Sequence, residues 1–117
     1  MTPLFSKLFE IRDTLHLTHL YQEDFKLSTH LALGEAYDAI LGLTDELVEC
    51  YTGIYGRVEI SIPASSKTSD PLKYLQSAYQ SIEVMRKSVS ETFLQNIIDE
   101  IQAALARTLY KLRFVKE

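Results

Sequence analysis

The sequence predicts an all-α protein, a four-helix bundle with one long crossover between its second and third helices. Apolar residues recur at three- and four-residue spacing in four separate stretches, the signature of amphipathic helices. Two of the connections are short, and the third runs to about fourteen residues, as a bundle needs where it joins helices that are not antiparallel neighbours. The chain has 117 residues, 46% hydrophobic and 24% charged, which suits one globular domain and excludes a disordered chain.

Each helix has its own start, stripe and stop. Thr2 is a candidate cap for the first, with Pro3 at its first position and Leu4, Leu8, Ile11 and Leu15 on one arc to about Tyr21. Ser28 or Thr29 is placed to cap the second, which carries Leu33, Ala36, Ile40, Leu43, Leu47 and Ile54 to a stop at Gly53 and Gly56. Val58, Ile60 and Ile62 then alternate with Glu59 and Ser61, a period of two that predicts a short extended segment before the polar run from Pro63 to Asp70. Asp70 followed by Pro71 starts the third helix, with Leu72, Leu75, Ala78, Tyr79, Ile82 and Met85 as its stripe. Ser88 with Glu91, or Ser90, is placed to cap a fourth helix with Leu94, Ile97, Ile98, Ile101, Leu105, Leu109 and Leu112 on its inner face.

Composition narrows the function. No apolar run approaches the roughly twenty residues of a membrane span, and Lys7, Glu10, Arg12 and Asp13 interrupt the apolar residues near the start, unlike a signal peptide. Cys50 is the single cysteine, so no disulfide forms within the chain, and a cytoplasmic protein is expected. A net charge of −4 opposes DNA binding, although Arg107, Lys111, Arg113 and Lys116 make the C-terminal end locally basic.

The residues with chemistry cluster early. On one continuous helix His30, Asp45 and Glu49 fall at about 0°, 60° and 100°, with Asp38 at about 80° between them. That is a polar face of metal-ligand types, opposite the apolar arc. Yet His30 and Asp45 are about 22 Å apart along such a helix, too far for one ion with bonds of about 2 Å. An antiparallel second copy, crossing near Tyr37 and Asp38, brings His30 of one chain beside Asp45 and Glu49 of the other. Gly34 and Gly42 flank this face and would let the second helix approach. His16 and His19 lie just upstream. Each feature also has a plainer explanation: a histidine on an apolar arc is usually a hydrogen-bonded core residue, and Asp45 with Glu49 four residues apart is an ordinary solvated pair.

The pattern of His16 and His19, then His30, then Asp45 and Glu49, resembles the ferroxidase segment of Dps-type mini-ferritins. A closer resemblance is to small uncharacterised phage-encoded ferritin-like proteins, carried by His16 to Leu20, His30 to Leu33, Tyr37 and Asp38, Asp45, and Val48 to Gly56. The resemblance implies a ferritin-like bundle and a homodimer at least, with iron, or zinc or manganese in its place, bound and a ferrous ion oxidised or sequestered. His19 and His30 would supply nitrogen, Asp45 and Glu49 of the second copy oxygen, and His16 an auxiliary ligand. The family's usual tryptophan is Leu20 here, and Gly34 stands where a further carboxylate is common. The alternative is a non-catalytic helical module that binds a partner or small ligand.

Overall fold

The computed structural model describes residues 1–115, which form four helices: α1 (Thr2–Leu20), α2 (Leu27–Tyr55), α3 (Pro71–Met85) and α4 (Thr92–Phe114). A single 3₁₀ turn, Arg86–Ser88, extends α3, and no strand occurs among the described residues. The chain is therefore the all-α bundle its periodicity predicts. Lys116, part of the basic C-terminal end noted above, lies outside the described residues.

The four apolar stripes close on one core. Leu4, Leu8, Ile11 and Leu15 from α1 meet Leu33, Ile40 and Leu47 from α2, Leu75 and Ile82 from α3, and Leu94, Ile98, Ile101 and Leu105 from α4, all essentially inaccessible to solvent. Phe5 joins them, edge-on to Tyr51 with ring centroids 5.3 Å apart. α2 packs chiefly on α1 and α4, and α3 on α4 and α1. An ion pair between Lys111 and Glu35 ties the end of α4 to the start of α2, while the Tyr55 hydroxyl donates to Glu91, so these two helices run antiparallel. The connection 56–70 arrives at the C-terminal end of α1, where the Thr68 amide donates to Thr18 Oγ1 at 3.0 Å and Lys67 Nζ to the Tyr21 carbonyl at 3.1 Å.

Helix ends depart from expectation in informative ways. Asp70 caps α3, accepting from the Lys73 amide at 3.0 Å, and Gly56 ends α2 at a φ of 87° that favours glycine. The other helix starts have no side-chain cap: Met1, Lys26 and Glu91 hold those positions, and Thr2 and Thr92 are already helical. Ser88 and Ser90 fail as caps because the 3₁₀ turn and the Arg86 cluster organise that corner. Arg86 donates to Gln95 Oε1 at 2.8 Å, to the Gln95 carbonyl at 3.1 Å and to Asp99 at 2.5 Å, while Gln95 Nε2 returns bonds to the carbonyls of Arg86 and Val89.

Two apolar expectations change. Val58 and Ile60 are half-buried while Glu59 and Ser61 face solvent, but Ile62 is exposed, so the period of two survives as burial only over 58–61. No strand forms, because the segment has no second strand to pair with. Ile54, placed in the core arc of the second helix, is 53% exposed. In the last turn of α2 the contacts are made by Tyr55, which meets Tyr51 and Glu91, while Ile54 beside it faces solvent.

Tyr74 links α3 to α1, donating to Glu10 Oε2 at 3.2 Å. Burial, the largest cause, pushes its hydroxyl up to about 12, and the Glu10 carboxylate adds to the rise against a lowering bond from Thr14. The folded state thus holds this proton more tightly than the unfolded chain. Its contribution to stability is complete below the ordinary phenol value of about 10 and is lost as pH rises through about 12. In denaturant titrations at rising pH, Tyr74→Phe should flatten that alkaline loss relative to the parent.

Candidate metal centre

The C-terminal end of α1 and the first turn of α2 are joined by two histidines that exchange hydrogen bonds. His19 Nδ1 lies 2.6 Å from the His30 carbonyl, and His30 Nδ1 lies 2.9 Å from the His19 carbonyl. A carbonyl only accepts, so each Nδ1 carries the proton and donates it. The rings stack between these bonds, centroids 3.8 Å apart and planes 15° from parallel. The His19 carbonyl belongs to the last turn of α1, where no intrahelical donor remains, so the His30 ring acts as a cap.

Gly34 makes this clasp possible. A Cβ built there would sit 2.9 Å from His19 Cε1 and 3.2 Å from its Nδ1. Side chains in a helix tilt toward its N-terminus, so the residue at position 34 overhangs the carbonyl of residue 30; only glycine leaves that carbonyl open to an incoming ring. The expectation that Gly34 admits a helix of a second copy is thereby corrected, since the close neighbour is His19 of the same chain. Nothing lies within 4 Å of a Cβ at Gly42, which faces open space.

The remaining expected residues are separated. His16 stacks on Tyr37 with centroids 4.2 Å apart, and its ring is 6.4 Å from that of His19. Tyr37 also meets the His19 ring edge-on at 5.4 Å, and Phe25 covers the outer side of His30 at 5.1 Å. Sequence reasoning missed these two aromatic walls, although Tyr37 sits seven residues after His30, where a helix returns to the same face. Asp38, Asp45 and Glu49 are exposed on α2, which runs unbroken past all of them. Among the described residues no three His, Cys, Asp or Glu side chains gather around one point. A cleft of about 540 Å³ lies nearby, lined by Thr18, Tyr21, Lys26 and Lys67 among others, and includes none of the expected ligands.

Each ring presents Nε2 as its unused nitrogen. Nδ1–H bonded to a backbone carbonyl is the arrangement that fixes tautomer and ring orientation in metal-ligating histidines. The pair offers two nitrogen donors, but the lone pairs lie in the planes of rings stacked 3.8 Å apart at 15°, so both reach one ion only after a ring turns out of the stack. Oxygen donors must come from elsewhere.

Residues 19–112 match a protein family described as "Family of unknown function (DUF5856)", and the chain belongs to it. The matched span opens at His19 and contains His30, Asp45 and Glu49, whereas His16 precedes it. No curated protein and no solved structure is matched. The resemblance to Dps and ferritin-like proteins is overturned by this result, because the family matched is a different one. A helical stripe with histidines and a spaced carboxylate pair arises on many bundles, and it does not identify a lineage.

Gly34→Ala tests the clasp. Alanine gains up to about 1 kcal/mol in helix propensity over glycine, yet its Cβ displaces the His19 ring from the His30 carbonyl and disturbs the reciprocal bond from the His30 ring, each worth about 1 kcal/mol. The variant should be less stable than the parent by chemical denaturation, by about 1 kcal/mol, where the same change at Gly42 should stabilise.

Proposed function

We propose that this protein binds a divalent first-row metal ion, iron by preference and zinc or manganese in its place, in a site shared between two copies. His19 and His30 supply the nitrogen donors, Asp45 and Glu49 of the second copy supply oxygen, and His16 stands behind them as an auxiliary group. The observation that carries this is the reciprocal Nδ1–carbonyl clasp, which leaves Nε2 of both rings as lone-pair donors on a rigid support. A ferrous ion held by such nitrogen and carboxylate donors would supply oxidation chemistry toward dioxygen or peroxide. The connection 56–70 is taken as a crossover along the bundle, which leaves the outer face of α2 clear.

Charge supports the need for a cation. Asp38, Asp45, Glu46 and Glu49 stand exposed on α2, and none takes part in an ion pair among the described residues. Two such faces repel when apposed, by amounts that several like charges in proximity make significant. A divalent ion at each of the two symmetry-related sites offsets that repulsion. Association through α2 is therefore metal-dependent, and a chelator should dissolve it.

A second reading keeps the helices and dispenses with the ion. The lack of three convergent ligands within one copy favours a non-catalytic interaction module in which the histidine pair is purely a structural clasp.

Anaerobic calorimetric titration with Fe(II), repeated with Zn(II), separates the two. The shared site predicts one ion per chain and an association through α2 that a chelator abolishes. Asp45→Ala with Glu49→Ala should abolish binding at unchanged helicity, because both side chains are exposed and outside the core. Gly42→Arg should fold, having open space for the side chain, but block the approach of the second copy and weaken binding by at least about tenfold. Uptake by the carboxylate variant equal to the parent's, or no uptake by the parent, leaves the interaction module.

A further inference from the structure

The outer face of α4 carries a seam that is exposed among the described residues. Asn96, Glu100, Ala103, Arg107, Tyr110 and Phe114 recur at alternating four- and three-residue spacing, and all are exposed. That spacing keeps one stripe facing a partner helix. Tyr110 is 59% and Phe114 60% exposed, large aromatic surface to leave in water. Beside them a hollow of about 310 Å³ opens between α4 and Tyr79 of α3.

The two halves of this face are opposite in kind. The N-terminal half holds Asp99 and Glu100 with the small Ala103, and the C-terminal half holds Arg107 and Arg113 with the bulky Tyr110 and Phe114. Glu100, Arg107 and Arg113 have no ion-pair partner among the described residues, and Asp99, bonded to Arg86 through one oxygen, keeps a side chain 61% exposed. A parallel copy would stack like on like. An antiparallel copy lays the Asp99 and Glu100 end of each helix on the Arg113 end of the other, with Arg107 beside the twofold axis.

We propose that the outer face of α4 is a twofold interface with the α4 of a second copy, antiparallel and centred near Ala106. Tyr110 of each copy covers the small Ala103 of the other. The carboxylates of Asp99 and Glu100 face the guanidinium end of the second copy. Small residues at the crossing let the backbones approach, and the charges set direction more than they add affinity. This interface is independent of the metal site and of the outer face of α2, so a molecule using both faces grows beyond a dimer.

Two charge-reversed chains test the proposal in chelator, where association through α2 is absent. One carries Arg107→Glu with Arg113→Glu, the other Asp99→Lys with Glu100→Lys, and circular dichroism verifies their helicity. By sedimentation velocity up to roughly 100 μM, the parent should self-associate, each reversed chain alone should weaken at least about tenfold, and an equimolar mixture should recover association as a heterodimer. Ala103→Arg, at an exposed position, should also remove parent association and covers the case in which a doubly reversed chain does not fold. A parent that stays monomeric in chelator overturns the proposal whatever the fate of the metal site. So does a mixture no stronger than its components, or an unchanged Ala103→Arg chain.

Discussion

The interaction on which the arrangement depends is the exchange of hydrogen bonds between His19 and His30. It joins the end of one helix to the start of the next across a short turn, and each ring satisfies the other residue's carbonyl at 2.6 Å and 2.9 Å. Neither bond forms without the backbone position that the other helps to hold, so the pair behaves as one cooperative unit. It fixes where α2 departs relative to α1, and the register of their apolar stripes follows from that. Gly34 is the permissive element: the ring occupies the volume a Cβ would fill.

Helical periodicity gives α2 two distinct faces. Its inner arc of Leu33, Ile40 and Leu47 is anchored in the core, and its outer face collects carboxylates that form no ion pair among the described residues. Unpaired exposed carboxylates cost little while solvated. They become costly only if a second surface covers them, which is why a divalent ion and a second copy belong to one proposal rather than two. On the far side of the bundle, α4 presents a face whose charge is balanced by its own reversal. The two proposed interfaces differ in what they require, a cation in one case and only antiparallel orientation in the other.

Much of the fold was legible because burial in a bundle follows a simple period. The stripes of all four helices reach the core almost as the spacing predicts, and Asp70 with Pro71 marks a helix start that depends on local chemistry alone. What escaped were features set by tertiary partners. Thr2, Ser28 and Ser88 carry cap chemistry, but neighbouring contacts decide where those helices begin. Ile54 lies on the core arc yet beyond the end of the core. The histidines are brought together as a pair, while the carboxylates stand far along the helix where its geometry puts them. Gly34 was visible as an anomaly, and its occupant was not, because a glycine announces a close neighbour without saying which one. The family resemblance failed for a related reason, since residue types at helical spacing are constrained by the helix before they are constrained by ancestry.

Nitrogen-detected NMR of the imidazole rings tests the central claim most directly, because it reads the tautomer and the free nitrogen of each histidine. Both His19 and His30 should show a protonated Nδ1 and a lone pair at Nε2, and added Zn(II) should shift the Nε2 resonances while leaving Nδ1 protonated. Nε2–H tautomers in the metal-free protein, or Nε2 resonances indifferent to the ion, would contradict it.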